Sequence, residues 1–359
     1  MLTPGFWHGK RVLVTGHTGF KGSWLSLRLH ALGADVVGYA LPPDRTPNLF
    51  ELADVGRLVT SIEGDVRDVA HLGRVMTTQR PQIVFHLAAQ ALVRYSVANP
   101  LETYATNVMG TAHLLDAVRS LAEPCVVVVV TSDKCYENRE TNEPLSEGDP
   151  MGGADPYSSS KGCAELVTSA YRRTYFPTSQ VAEHGVALTS VRAGNVIGGG
   201  DWSEDRLVVD VISALLRGEP PRIRSPRSVR PWQFVLEPLS GYLQLAERTA
   251  AEPHAFADGW NFGPDLSDCQ PVEWLVERIV RAWGGNIGWI RDEQPGGHEA
   301  KLLRLDASRA RNHLNWRPRL DLTQAIDWTV AWYQAYQRGD DIRDLTRAQI
   351  ARYDALERP

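Results

Sequence analysis

Five residues, Ser132, Asp133, Lys134, Tyr157 and Lys161, are spaced so that they could do chemistry together. Tyr157 and Lys161 are four apart in a stretch whose apolar period, through Leu166 and Val167, predicts a helix, so they share one face. An ammonium beside a phenol favours phenolate and draws a tyrosine toward working pH, as a proton-abstracting base requires. Ser132-Asp133-Lys134 adds a hydroxyl, a carboxylate and an amine at one point of the chain. A lone Tyr-x-x-x-Lys is common on helix surfaces, so its weight comes from the elements around it.

The element before the Ser-Asp-Lys run is Val126-Val127-Val128-Val129-Val130. An unbroken β-branched run predicts a strand buried on both faces, here the central strand of a parallel sheet. Ligands of open α/β sheets bind beyond the carboxyl ends of the strands, which is where Ser132 to Lys134 fall. At the chain start, strand Arg11-Val12-Leu13-Val14-Thr15 runs into Gly16-His17-Thr18-Gly19-Phe20-Lys21-Gly22 and then a helix with Leu25, Leu29 and Leu32 on one face. Glycines at that junction allow a tight turn and close approach of a pyrophosphate to a helix N-terminus, which predicts dinucleotide binding.

Further strands are expected over 35–39, 58–63, 83–87 and 186–192, alternating with helices as in a doubly wound α/β fold with right-handed crossovers. The second strand runs into Ala40 and Leu41, with Asp44 and Arg45 later, and does not decide between NAD and NADP. Asp65 follows the third strand, and its ordinary role would be to cap the next helix. Leu87, Ala88, Ala89 and Gln90 end the fourth strand, where small residues let a cofactor lie close to the sheet. A long helix over 100–121 carries Thr106 and Asn107; Asn is a poor helix former, which points to a buried hydrogen-bonding role.

Beyond residue 192 the alternation stops. Helices are expected over 207–216, 237–249, 272–283 and 322–337. Arg206, Arg222, Arg224, Arg230 and His298 are cations enough to hold a diphosphate, and the tract 222–235 concentrates three of them with Trp232 and several prolines. The organisation expected is a dinucleotide-binding Rossmann domain over 1–192, to which later segments return, and a smaller mixed α/β lobe over 193–359 that mainly holds substrate.

The 359 residues are 43% hydrophobic and 23% charged, ample for a packed core. A net charge of −5 without long runs gives no basic footprint for nucleic acid. Cys125, Cys135, Cys163 and Cys269 are scattered, with no Cys-x-x-Cys, so no metal site and no disulfide framework is indicated. The start lacks the apolar core of a signal peptide and no apolar run reaches membrane-spanning length, so a cytoplasmic protein is expected.

With the glycine run, the buried strand and Tyr157-x-x-x-Lys161 together, the sequence resembles the extended short-chain dehydrogenase/reductase family. Phe6-Trp7, Gly16 through Gly22, Thr131 through Tyr136, Arg192-Ala193-Gly194-Asn195-Val196-Ile197-Gly198-Gly199-Gly200-Asp201-Trp202 and Arg230-Pro231-Trp232-Gln233 narrow the resemblance to the nucleotide-sugar 4,6-dehydratases that act on CDP-glucose. It covers nearly the whole chain. It implies an NAD-dependent hydro-lyase of deoxysugar and surface-polysaccharide (O-antigen) synthesis, acting as a homodimer or dimer of dimers through a helix bundle near 100–121 and 157–176. It implies an active site of Ser132, Asp133, Lys134, Tyr157 and Lys161. NAD would lie on Gly16, His17, Thr18, Gly19, Phe20, Lys21, Gly22, Asp65, Val66, Leu87, Ala88, Ala89, Thr106, Tyr157 and Lys161, with Asp65 at the adenine. The nucleotide sugar would lie on Asn107, Asn195, Arg206, Ile223, Arg230 and His298. Related dTDP-glucose dehydratases carry Thr-Asp-Glu where this chain has Ser132-Asp133-Lys134, which leaves the carbon 5 base open. Lys134 as that base and Asp133 as the acid for the departing 6-hydroxyl support each other, because a protonated Asp133 does not hold its neighbour as an ammonium.

Two other readings share part of this pattern. A nucleotide-sugar 4-epimerase uses the same fold, cofactor and Tyr-x-x-x-Lys, but needs no acid/base pair for dehydration, so Asp133-Lys134 argues against it. A non-catalytic dinucleotide sensor would share only the glycine loop, and the intact Ser132, Tyr157 and Lys161 set argues against that.

Overall fold

The computed structural model describes residues 2–284, 287–292 and 301–356. Seven strands form one parallel sheet: β1 (Arg11–Thr15), β2 (Asp35–Ala40), β3 (Thr60–Glu63), β4 (Ile83–His86), β5 (Cys125–Val130), β6 (Val186–Ala193) and β7 (Gly259–Phe262). The order across the sheet is β7-β6-β5-β4-β1-β2-β3. The valine run is therefore not the middle strand: β4 is, and β5 is its neighbour, paired Ile83↔Val126 through His86↔Val129. All six residues of β5 are buried, and its valines serve two cores. Val126, Val128 and Val130 join the apolar cluster on one face, Val127 and Val129 the cluster on the other. A strand sandwiched between two helical layers has no solvent face, which is why it shows no polar alternation.

The helices that bear on the site are α1 (Phe20–Ala31), α2 (Val69–Gln79), α3 (Gly110–Val118), α4 (Pro156–Thr174), α5 (Leu207–Leu216), α6 (Leu236–Ala251), α7 (Val272–Trp283), α8 (Leu322–Arg338) and α9 (Ile342–Asp354). The long helix expected over 100–121 is broken into Pro100–Tyr104, a π-helical turn Ala105–Met109 and α3. Asn107 lies in that turn, its amide anchored outside the helix, and a side chain pulled off the helical ladder is a recognised cause of such bulges. β7 brings residues from beyond 193 back to the sheet edge, paired with β6 from Gly259↔Ser190 to Phe262↔Ala193. One core cluster runs from Trp7 to Tyr353, so both halves of the chain share it. α9, which the sequence pattern does not foretell, closes onto α1: Asp354 pairs with the buried Arg28 at 2.5 Å and the Tyr353 ring lies under its guanidinium. None of the described helices is long and apolar enough to cross a membrane.

Candidate active site

The glycine loop between β1 and α1 is closed so tightly that side chains are excluded from two points. Gly16 has φ +75°, and a Cβ there would lie 2.8 Å from the Ala88 nitrogen; one on Gly22 would lie 2.0 Å from the Gly16 carbonyl oxygen. α1 starts at Phe20 with no side chain capping its first turn, so its N–H groups are available to an anion. At the end of β4, Leu87 N–H donates to the Thr15 carbonyl (3.1 Å) and Ala88 N–H to Thr15 Oγ1 (3.2 Å). These residues suit a dinucleotide pyrophosphate laid across the strand ends.

The chemistry-bearing groups meet beside that loop. Thr131 follows β5, and Asp133–Cys135 form a short 3-10 turn whose Lys134 N–H donates to Ser132 Oγ at 3.2 Å. Ser132 Oγ donates to Asp133 Oδ1 at 3.0 Å, while Asp133 Oδ2 is buried with no partner. Asp133 is 3% exposed, and burial raises its carboxyl above the usual range against the pull of Lys134, Ser132, Lys21 and Arg230. The missing side chain of Gly194 is part of this fit, since a Cβ there would meet Asp133 Oδ2 at 2.7 Å and the Pro231 ring at 2.6 Å.

α4 begins at Pro156, capped by Asp155, whose carboxylate accepts from Ser158 N–H at 2.9 Å. That cap sets the first turn, and Tyr157 N–H donates to Ser96 Oγ at 3.1 Å. Burial pushes the Tyr157 phenol up to about 12; the Ser132 hydroxyl and the Arg206 charge oppose this. The lowering expected from the sequence is therefore absent. The reason is geometric: Lys161 Nζ donates to the Val130 carbonyl at 3.3 Å, beneath the strand end. Burial brings the Lys161 ammonium down to about 8.

Lys21 and Arg206 complete the cluster. Burial, helped by Arg206 and Lys161, brings Lys21 down to about 8, with Asp133 and Asp201 acting the other way. Arg206 Nη1 donates to Asp201 Oδ2 at 2.7 Å, and its charge bears on Tyr157. Arg230 is buried on the strand Val229–Pro231, which pairs with Cys269–Pro271, and its charge bears on Asp133. Phenol, hydroxyl, carboxyl and five basic side chains thus converge at the carboxyl ends of the strands. The arrangement can take a proton at Tyr157, give one from Asp133 and hold phosphate oxygens on arginines.

A family model described as GDP-mannose 4,6 dehydratase matches residues 13–263. The chain belongs to this dehydratase family. Among curated relatives, the CDP-glucose 4,6-dehydratase of Salmonella typhimurium is 50% identical over 353 residues, 98% of each chain. The UDP-glucose 4-epimerase of Mycolicibacterium smegmatis is 30% identical over 333 residues, 90% of this chain and 98% of that one. Among solved structures, a dTDP-glucose 4,6-dehydratase of Streptomyces venezuelae with NAD bound superposes with a TM-score of 0.76 at 24% identity, covering 92% of this chain and 98% of that one. A UDP-glucose 4-epimerase of Thermotoga maritima with UDP-glucose gives 0.78 at 22%, covering 90% and 99%. At such identities the superpositions speak for the fold.

Within this family fold, several residues singled out from the sequence sit otherwise than expected. His17 turns its imidazole inward over Gly38, with Nε2 2.7 Å from Ser61 Oγ, and burial lowers its pKa to about 4. Asn107 donates to the Gln90 carbonyl (2.9 Å) and Ser160 Oγ (2.8 Å) and accepts from Gln90 N–H (2.8 Å), so its amide ties the framework together. Asp65 does not cap the next helix; Asp68 does, accepting from His71 N–H at 2.9 Å, while Asp65 forms a fork with Arg67. The Ile223 side chain is buried in the core, and its carbonyl accepts from Asp292 N–H at 2.9 Å. Arg222 is exposed, and Arg224 stands 3.7 Å from Asp205. Val66 is buried, with its methyl carbons against Gly110; Ala88 and Ala89 are half-buried at the end of β4, and Thr106 lies half-buried in the π turn. Asn195 is half-buried, its carbonyl accepting from Gln233 N–H at 3.1 Å. His298 lies outside the described residues. Lys21, expected from the sequence with the cofactor loop, also adds its charge to the cluster around Asp133, and the Asp201 clamp on Arg206 carries no signal in the sequence.

Proposed function

We propose that the protein is a CDP-glucose 4,6-dehydratase, a hydro-lyase converting CDP-glucose to CDP-4-keto-6-deoxyglucose and water. The observation that carries this is Asp133, buried, held toward its protonated form and with Oδ2 unpartnered beside Lys134 and Tyr157. An epimerase has no use for such an acid. The half-identical Salmonella relative supports the nucleotide and the sugar.

NAD is the cofactor of this reading; when bound it takes a hydride from carbon 4 of the sugar and gives it back at carbon 6. The Gly16–Gly22 turn and the uncapped α1 N-terminus would hold its pyrophosphate, with Asp65 and Val66 toward the adenine side. Arg45 is paired with Asp44 at 2.8 Å, which leaves it poorly placed for a 2′-phosphate. Tyr157 takes the proton of the 4-hydroxyl, and Ser132 holds the oxygen in place. The 4-ketone so formed acidifies the carbon 5 hydrogen. Lys134 removes that proton, Asp133 protonates the departing 6-hydroxyl, and water leaves. Return of the hydride to carbon 6 and a proton to carbon 5 completes the product.

Incubation with CDP-glucose should yield a product lighter by one water in mass spectrometry, with no NADH accumulating in proportion. A 4-epimer of unchanged mass, or stoichiometric NADH, would displace this reading. Arg230, Arg206 and the Asn195 loop would hold the diphosphate. Arg230→Ala should raise KM about tenfold or more with turnover much less affected, because that contact is largely uniform binding. Turnover falling while KM held would place Arg230 at the chemistry.

A homodimer fits the surface beside the site. Leu101 is 84% exposed, and Val97, Met109, Leu166 and Tyr175 are exposed on the neighbouring helical segments 93–118 and on α4 and its C-cap. Such a patch is a liability unless covered, and a second copy through paired helices covers it. Sedimentation at the mass of one chain would remove the dimer.

A further inference from the structure

Beneath the reactive turn lies a buried ion pair that the proposed chemistry does not use. Glu165 stands one turn beyond Lys161 on α4 and is 4% exposed; Arg192, on β6, is 5% exposed. Arg192 Nε and Nη2 each donate to the Glu165 carboxylate at 2.9 Å, a bidentate fork. Burial would raise the Glu165 carboxyl, but the Arg192 fork outweighs it and holds the carboxyl below the usual range.

The partners of this pair are not spread at random. Glu165 Oε1 also accepts from Thr131 Oγ1 at 2.5 Å, and Oε2 from Ser190 Oγ at 2.7 Å. Arg192 Nη1 donates to the Tyr136 hydroxyl at 2.6 Å, which donates in turn to Asn261 Oδ1 at 2.7 Å. Thr131 immediately precedes Ser132-Asp133-Lys134, and Tyr136 follows them after Cys135. One ion pair therefore grips both ends of the reactive turn. Its carboxylate rides on the helix that carries Tyr157 and Lys161. Asn261 on β7 anchors the far end, donating to the Leu145 and Asp306 carbonyls at 3.0 Å each. The cradle has no slack: a Cβ on Gly259 would meet Arg192 Nη2 at 2.6 Å.

We infer that Glu165 and Arg192 are a positioning pair, which fixes the Ser132–Lys134 turn in register with Tyr157 and Lys161 through the Thr131 and Tyr136 hydroxyls. A purely stabilising ion pair needs no such symmetry about the turn. Buried, fully bonded networks are suited to holding a single geometry. The consequence is specific. Tyr157 and Lys161 sit on α4 itself, whereas Asp133 and Lys134 sit on a turn whose two ends are tied to that pair through the two hydroxyls. Loosening the grip should slow elimination more than oxidation at carbon 4.

The inference rests on the proposed dehydration, and the test separates the two. Removing either charge could unfold the chain, so the hydroxyls are changed instead: Thr131→Val and Tyr136→Phe, each leaving the ion pair and the side-chain shape. The wild type is first shown to dehydrate CDP-glucose; if it does not, the functional reading has failed and not the positioning role. Each variant is expected to lose about tenfold in turnover, with KM, NAD content and melting temperature close to wild type. In a single turnover, enzyme-bound NADH should build up at 340 nm where the wild type shows little, because oxidation outruns elimination. Turnover within twofold of wild type overturns the inference. So does a loss that tracks lowered melting temperature or NAD content, or one with no build-up of bound NADH.

Discussion

Tyr157→Phe is expected to lower turnover at least about a hundredfold, the usual scale for a lost general base. Only the hydroxyl is removed. The ring is nine-tenths buried and the backbone N–H stays on Ser96, so the helix start should not move. NAD content and melting temperature should therefore survive, and the loss should fall on turnover rather than on KM. Burial alone would keep the proton on the phenol, since it pushes Tyr157 up to about 12. The Ser132 hydroxyl and the Arg206 charge pull the other way, and Lys161 stands one helical turn below. Ser132→Ala should accordingly slow the same step, but less. A Tyr157→Phe enzyme within a few-fold of wild type would show that another group takes the 4-hydroxyl proton.

What the sequence disclosed of this site follows from what each feature depends on. The glycine turn, β5 and the Tyr157–Lys161 helix are local: backbone sterics, β-branching and a four-residue spacing specify them without a partner, and they appear where expected. What spacing does not encode is tertiary. His17 stands in the glycine run, yet its imidazole is drawn into the gap over Gly38 toward Ser61, a contact of the loop after β1 with β2 and β3 that spacing does not encode. Asn107 was legible as a buried polar residue but not as the tie between Gln90 and Ser160, which are 17 and 53 positions away. Lys161 was expected to lower its helix neighbour, yet its ammonium bonds the end of β5. β7 was hidden because four residues, Gly259–Phe262, carry too little pattern to reveal a sheet edge. α9 was hidden because its pattern is largely polar and its burial rests on Tyr353 and Ile350 meeting the earlier core.

Lys134→Met is expected to abolish deuterium wash-in at carbon 5, by at least about a hundredfold, while oxidation at carbon 4 persists as enzyme-bound NADH. The side chain is half-buried and methionine keeps most of its length, so the turn has little reason to collapse. Lys134 is tied to the turn through its N–H on Ser132 Oγ at 3.2 Å, which leaves the amine free to follow the sugar while the backbone is fixed. The carboxyl beside Lys134 on the turn is that of Asp133. Burial raises Asp133, and its unpartnered Oδ2 faces the wall formed by Gly194 and Pro231. A protonated Asp133 has a hydrogen to give to the departing 6-hydroxyl. Asp133→Asn keeps the shape and removes the acid, so it should leave wash-in at carbon 5 running while loss of water stops. The two variants thus divide one elimination into its halves: proton removal without departure, and neither. Undiminished wash-in in Lys134→Met would remove Lys134 as the base and leave it a charge that steadies the enolate, with the proton going to another group.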